Sequence, residues 1–157
     1  MKKKKLNIDL PLYLAIGFGL LATTMILVKA FVGEMAFSEV INTRDIVISG
    51  VQASFGYAEN GITAFKINYL SFIAYLLPLV TALALMLFNE NKIFNCICIV
   101  LFLASGICAF LSILTVTNTI VKEIYTMYDF RLAIGSILSG IFSIIASLSL
   151  VFKLIKK

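Results

Sequence analysis

The stretch from Glu34 to Asn68, EMAFSEVINTRDIVISGVQASFGYAENGITAFKIN, is the only long polar segment between two apolar runs of this 157-residue chain. Its strongest local signal is the pair Asn60-Gly61, because a type I′ hairpin turn requires positive φ at both central residues. Strands are predicted on either side of the turn, at Phe55–Glu59 and Ile62–Ile67. A sheet this small is marginal alone, so we expect it to rest on helix ends or on a partner.

The apolar runs on both sides of this segment predict a membrane protein. Hydrophobic residues make up 61% of the chain and charged residues 13%, against roughly 45–50% and about 25% in soluble domains. A bilayer core is crossed by roughly 20 apolar residues, and a crossing backbone must bond within its own helix. The runs that meet this length are Leu10–Phe31, Tyr69–Phe88, Ile93–Val116 and Leu132–Phe152. The predicted fold is therefore an all-α integral membrane protein, a single domain over residues 1–157. It is a four-transmembrane-helix bundle with a small extracellular β-sheet, at 34–68, between helices 1 and 2.

The distribution of Lys and Arg predicts the orientation of the four helices. Lys2, Lys3, Lys4, Lys5, Lys92, Lys153, Lys156 and Lys157 fall on one side, against Asp9 and Glu90. The other side holds five basic residues, Lys29, Arg44, Lys66, Lys122 and Arg131. Against them stand six acidic residues, Glu34, Glu39, Asp45, Glu59, Glu123 and Asp129. Since cytoplasmic loops are rich in Lys and Arg, the tails at 1–9 and 153–157 are predicted to be cytoplasmic and the 34–68 segment to face outward. The basic tails are expected to contact the anionic lipids of the inner leaflet.

Small residues recur at helical spacing along the predicted spans. Such residues let helices approach closely, and the positions concerned are Gly19, Ser105, Gly135, Ser139, Gly140, Ser143 and Ser147. Pro78 lies near the middle of span two, where the missing amide hydrogen bond predicts a kink. Lys29 lies near the outer end of span one, where we expect its ammonium group to reach the membrane interface, with Glu34 and Glu39 as candidate ion partners.

The chain lacks the side chains that most membrane chemistry requires. It contains no His, and no predicted span contains Asp or Glu, the groups used for acid–base catalysis and proton relay. Cys96 and Cys98 lie about 200° apart on a helix, so they are not placed for one metal site or a redox pair. An enzyme is therefore not expected, and neither are a metal, another cofactor or a nucleic-acid partner.

The order of these elements resembles a known architecture. Four spans, cytoplasmic ends, a long first outer segment with β character and a tight inner turn resemble the claudin/PMP22-like tetraspan layout. The chain has no Trp, and its three Cys all lie in span three, so the first-loop signature of that family is missing and the resemblance implies only the layout. Residues Gly50–Phe72 and Arg131–Lys157 are also similar to uncharacterised four-span membrane proteins of low-GC Gram-positive bacteria, which implies a bacterial plasma membrane.

These features favour a protein that acts through contact with another membrane protein or with its own copies, with recognition by the 34–68 segment. A first alternative is a small oligomeric channel or transporter for an uncharged or lipophilic solute, suggested by Pro78 and by the Ser residues of span four. A second alternative is a membrane immunity or stress-protection protein that binds a toxin at the outer segment.

Overall fold

The computed structural model describes residues 9–35, 45–88 and 90–155. The helices are α1 (Leu10–Thr24), α2 (Gly50–Phe55), α3 (Tyr69–Phe88), α4 (Lys92–Leu111), α5 (Ile113–Thr119) and α6 (Ile134–Ile155). The strands are β1 (Lys29–Met35), β2 (Ile46–Ser49), β3 (Tyr57–Glu59), β4 (Ile62–Phe65) and β5 (Tyr128–Leu132). Single 3-10 turns at Met25–Leu27 and Glu123–Met127 lead into β1 and β5. Parts of the predicted tails (residues 1–8 and 156–157), residues 36–44 of the predicted β segment and residue 89 lie outside the described residues.

Four helices are long and apolar enough to cross a membrane, which confirms that part of the predicted fold. They are α1 with its 3-10 turn, at Leu10–Leu27, together with α3, α4 and α6. Each of α1 and α4 packs along both α3 and α6, so the four helices form an antiparallel bundle with α3 and α6 on a diagonal. The core of the bundle is a cluster of buried apolar side chains that includes Ile16, Leu85, Phe102 and Leu150.

The strands and the short helices lie together at one end of the bundle. We call residues 29–35, 46–65 and 120–132 the cap. Its main sheet has the order β2-β1-β5, with both pairs antiparallel, and Val32 stands between Val47 and Arg131 in the register. β3 and β4 form a separate hairpin. A second apolar cluster, which includes Phe31, Ile48, Phe65 and Val116, fills the space between the cap and the bundle.

The sheet differs from the predicted one in its composition. It was expected to lie between helices 1 and 2, but β5 comes from the connector before α6, and β1 begins at Lys29, ahead of the predicted segment. The stretch Gly50–Phe55 is a helix, so Phe55 is not in the hairpin. A capping box explains this helix, because the Ser49 side chain bonds the backbone of Gln52 while the Gln52 side chain bonds the backbone of Ser49.

Span one is shorter than predicted. The helix was expected to continue to Phe31, but it ends at Thr24, and Lys29 is the first residue of a strand rather than the end of a helix. The hydroxyls of Thr23 and Thr24 bond the carbonyls of Gly19 and Leu21, and such local bonds weaken a helix. Backbone pairing of β1 with two other strands then fixes the extended conformation.

The ends of the last two spans also differ from the prediction. The third was predicted at Ile93–Val116, but α4 covers Lys92–Leu111, and after an interruption at Ser112 the chain continues as α5. The fourth was predicted at Leu132–Phe152, but α6 runs from Ile134 to Ile155, and Leu132 belongs to β5. Lys153 was assigned to the tail. It lies inside α6, with 3% of its surface exposed, and its ammonium group is 3.5 Å from the carboxylate of Asp9.

Pro78 lies inside α3 and is buried. Because proline has no backbone N–H, the carbonyl of Ala74, four residues earlier, loses its helical partner. Serines of two other helices bond this carbonyl instead: the Ser105 hydroxyl of α4 at 2.9 Å and the Ser139 hydroxyl of α6 at 3.3 Å. Since Ser105 uses its one hydrogen for Ala74, it accepts a bond from the Ser143 hydroxyl, 3.2 Å away. The Ala74 carbonyl, which Pro78 leaves without a helical partner, therefore joins α3 to α4 and α6.

This arrangement predicts an energetic coupling between Pro78 and the two serines. In the wild-type background, Ser105→Ala and Ser139→Ala should each lower the free energy of unfolding by about 1 kcal/mol, as for a typical buried hydrogen bond. In a Pro78→Ala background the same substitutions should cost less, because position 78 then supplies an amide to the Ala74 carbonyl. Unfolding in detergent micelles measures both losses. Equal losses in the two backgrounds would contradict the assignment.

Candidate interaction surface on the cap

The cap is fixed to the bundle by strands that continue directly into helices. β1 follows α1 through one 3-10 turn, and β5 passes into α6 through Ala133. A Cβ atom on Gly135 would lie 2.6 Å from the backbone oxygen of Lys29, so only glycine allows this approach of α6 to β1. The Ser136 hydroxyl donates to the carbonyl of Ala30 at 3.1 Å and accepts from the hydroxyl of Tyr75 at 3.0 Å. The main sheet is thus bonded to α6, and Ser136 links it in turn to Tyr75 of α3.

Asn68 connects the remaining parts of the cap to the bundle. Its side-chain oxygen accepts from the amides of Leu70 and Ser71 at 3.1 and 3.2 Å, so it caps the N-terminus of α3. Its side-chain nitrogen donates to the carbonyl of Ser112 at 3.0 Å, at the junction of α4 and α5. Its backbone amide donates to Ala53 of α2 at 2.9 Å. Asn68 is 2% exposed, and it therefore joins three helices from a buried position.

A charged cluster joins the β3–β4 hairpin to the segment between α5 and β5. The Lys122 ammonium group lies 2.6 Å from a carboxylate oxygen of Glu59, and the Tyr125 hydroxyl donates to the same oxygen at 3.0 Å. These two hydrogen bonds and the positive charge of Lys122 lower the pKa of Glu59. The bond to Glu59 raises the pKa of Lys122 in turn. Burial, and then the same carboxylate, raise the pKa of Tyr125.

A groove of about 760 Å³ lies beside this cluster, between the hairpin, the start of α3 and α5. The lining residues come from the stretches 55–58, 63–70 and 115–119. Phe55, Tyr57, Phe65, Ile67 and Tyr69 supply apolar and aromatic surface, and Asn118 and three threonines supply polar groups. Lys66 is the charged side chain among the described residues that line the groove. Its backbone amide bonds the carbonyl of Thr119 at 2.7 Å.

The cap also exposes large apolar side chains outside the groove. Ile62 at the hairpin is 61% exposed, Met127 before β5 is 59% exposed, and Val47 of β2 is 42% exposed. The turn at Asn60-Gly61 has φ values of 52° and 80°, as a type I′ turn requires, and it presents Ile62 at the start of β4.

The residues singled out for helix packing lie inside the bundle of a single chain. A Cβ atom on Gly19 or Gly140 would come within 2.8 Å of the Phe102 or Phe110 ring. Ser105, Ser139 and Ser143 are fully buried, and the Ser147 hydroxyl donates to the carbonyl of Ile99 at 3.3 Å. Lys29 is exposed in the cap, and Glu34 pairs with Arg131 at 3.4 Å. Glu39 lies outside the described residues.

The described residues show no arrangement typical of a metal or redox site. Within 9–35, 45–88 and 90–155, no group of three or more His, Cys, Asp or Glu side chains could hold a metal ion. Cys96, Cys98 and Cys108 are free thiols on α4.

Two capping interactions that position the cap, at Asn68 and at Ser49, were not predicted from the sequence although each has a local signal. Asn68 stands directly before an apolar run, which is the usual place of an N-cap residue. Ser49-x-x-Gln52 is the capping-box pattern. The groove has no such signal, because it arises where segments distant in sequence meet.

Asn68 should be far more important for stability than its neighbour in the groove, Asn118. Asn68→Ala removes the cap of α3 and leaves the Ser112 carbonyl with one bond fewer, so the free energy of unfolding should fall by about 2–3 kcal/mol. Asn118→Ala, at an exposed position of α5, is the matched control and should change it by less than about 0.5 kcal/mol. Asn68→Asp keeps the capping oxygen and should fall between the two. Similar values for both alanine variants would contradict the assigned role.

The charged cluster should make the stability of the cap depend on pH. Because the pKa of Glu59 is lower in the folded protein, its ion pair stabilises the fold above the unfolded pKa, and this is lost as the pH falls through the folded value. The raised pKa of Lys122 means that its contribution is lost as the pH rises through its own folded value. Glu59→Gln should therefore lower the melting temperature at neutral pH and converge with wild type in acid. Glu34→Gln, at the exposed pair with Arg131, is the control and should lower the melting temperature less at neutral pH. A constant Glu59→Gln difference at every pH would contradict this.

The chain matches no protein-family model, no curated protein and no solved structure with which it was compared. No family's ligands or active-site residues are therefore transferred to it. The cap, with its groove, its charged cluster and its exposed apolar side chains, is the part of the described structure from which a function can be inferred.

Proposed function

We propose that the chain is a non-enzymatic integral membrane protein that acts through protein–protein contact, with the cap as its recognition surface. In this proposal α1, α3, α4 and α6 cross a bacterial plasma membrane, the cap lies on the outer side, and the α3–α4 turn faces the cytoplasm together with Asp9 and Lys153. The partner is another membrane protein or a second copy of the chain.

The observation that carries the proposal is the exposure of large apolar side chains on the cap. Ile62 and Met127 are both more than half exposed, and they lie on segments beyond the ends of the four long helices. In a membrane, lipid covers the exposed apolar side chains of the helices, but side chains that project beyond it face water. A contiguous exposed apolar patch on a soluble part of a protein marks a contact with another protein, and we infer that Ile62 and Met127 belong to such a patch.

The rigid support of these side chains also favours recognition. Ser136 bonds the main sheet to the bundle and Gly135 allows α6 to approach it closely. Asn68 and Glu59 hold the other elements of the cap. A surface that is already ordered loses less conformational entropy when it binds. The cap therefore has the preorganisation expected of a binding surface.

The alternative of a channel gains less support from the bundle. The hydroxyls of Ser139, Ser143 and Ser147 are buried and bonded to other groups of the bundle. They therefore join helices to one another rather than line a path for a solute. A toxin-binding immunity protein would use the same cap surface, and only its partner would differ.

A photo-cross-linking amino acid at Ile62 tests the proposal in native membranes. Irradiation should give a discrete adduct, identified by mass spectrometry as one other protein or as a dimer of this chain. The matched control is the same amino acid at Val100, which is 64% exposed on α4 and should label lipid instead. Point positions are preferable to deletion of the hairpin, because Ala64 and Phe65 are core residues. Only lipid adducts from Ile62 would refute a protein partner at the hairpin.

A further inference from the structure

The groove beside the hairpin has a chemistry different from that of the exposed apolar positions. Its wall is apolar and aromatic, yet it includes Lys66, and none of the described residues that line it is acidic. Among the described residues, no carboxylate lies within 4.0 Å of the Lys66 ammonium group. The acidic residue of the same hairpin, Glu59, is held by Lys122 at 2.6 Å. The groove therefore has mostly apolar walls and carries the positive charge of Lys66, to which an anion can bind.

The groove is also continuous with the apolar face of a candidate membrane span. Tyr69 and Leu70, which line it, form the first turn of α3. Phe55, another lining residue, packs edge-on against Phe72 of the next turn, with ring centroids 5.6 Å apart. Phe72 and Ile73 are more than a third exposed. If α3 crosses a bilayer, these residues contact acyl chains, and Lys66 lies three residues before the helix, at the level of the lipid headgroups.

The size of the groove suits part of a lipid molecule. Small-molecule sites typically have volumes of roughly 300–1,000 Å³ with mostly apolar walls and a few polar groups, and this groove has about 760 Å³. We propose that it binds one phospholipid with an anionic headgroup. One acyl chain lies between the hairpin and the start of α3, and the Lys66 ammonium group binds the phosphate. This inference goes beyond the proposed protein contact and shares with it only the membrane location.

Charge complementarity favours a lipid over a protein segment as the occupant. An apolar segment of a partner would cover Lys66 without neutralising it, and burying an unpaired ammonium group is costly. A phosphate neutralises it, and the acyl chain reaches the groove directly from the membrane along the face of α3. The amide of Asn118 and the hydroxyl of Thr63, both exposed lining groups, supply hydrogen bonds for glycerol or ester oxygens.

Native mass spectrometry of the detergent-solubilised full chain, incubated with defined lipids, tests the charge requirement. Wild type should retain one phosphatidylglycerol in preference to phosphatidylcholine. Lys66→Gln should weaken phosphatidylglycerol retention by about fivefold, the effect expected of one basic residue at a membrane surface. Lys66→Arg should restore it. Lys29→Gln is the matched control, since Lys29 is an exposed cation of the cap that does not line the groove. Equal retention of both lipids, or equal effects of the Lys66 and Lys29 variants, would overturn the proposal.

A second measurement tests where the lipid binds. The chain has no Trp, so Tyr69→Trp introduces a single fluorophore at the groove, at a side chain that is 74% exposed. In mixed micelles, phosphatidylglycerol with brominated acyl chains should quench it more strongly than brominated phosphatidylcholine. Adding Asn118→Phe, which fills part of the groove from α5, should remove this difference. Equal quenching by the two lipids, or a difference that survives Asn118→Phe, would place the lipid elsewhere and overturn the proposal.

Discussion

The carbonyl of Ala74 is the group on which the packing of the bundle depends. Pro78 removes the helical partner of this carbonyl in the middle of an apolar helix, where both Ala74 and Pro78 are buried. An unpaired buried carbonyl costs about 1–3 kcal/mol, so the cost is offset only if another helix supplies a donor. Ser105 and Ser139 do so from α4 and α6. The break in one helix thereby determines which residues of two other helices must face it.

Side-chain donors also bond backbone carbonyls at two other places where elements meet. At the junction of α4 and α5, the carbonyl of Ser112 is bonded by the side chains of Asn68 and Thr115. At the junction of β1 and α6, the carbonyl of Ala30 is bonded by Ser136, which is bonded in turn by Tyr75. Asn68 and Ser136 come from parts of the chain distant from the carbonyls that they bond, whereas Thr115 lies three residues after Ser112. Polar side chains inside this apolar protein therefore specify how the elements are arranged, while close van der Waals packing of the helices adds to their association.

Much of the fold was predictable from local patterns. The bounds of α3, Tyr69–Phe88, agree with the prediction because polar residues flank the run on both sides. The Asn60-Gly61 turn was predictable because few residue pairs tolerate positive φ twice in succession. The early end of α1 was not, because Ala30 and Phe31 continue the apolar run, and hydropathy does not distinguish a buried strand from a buried helix. The pairing of β5 with β1 was missed since it joins residues about a hundred positions apart, and the groove was missed for the same reason.

The main sheet and the hairpin of the cap are attached to the rest of the structure in different ways. The main sheet is continuous with α1 and α6 and bonded to Ser136 of α6, so a displacement of β1 or β5 also displaces helix ends. The hairpin is attached through the bridge between Phe65 and Ile120, the bond from the Val121 amide to the Ala64 carbonyl and the Glu59 cluster. A displacement of the main sheet therefore disturbs the packing of the bundle, whereas a displacement of the hairpin changes the shape of the groove that it lines. The Lys66 amide donates to the Thr119 carbonyl across the groove wall, and this bond holds the C-terminal end of the hairpin to the end of α5.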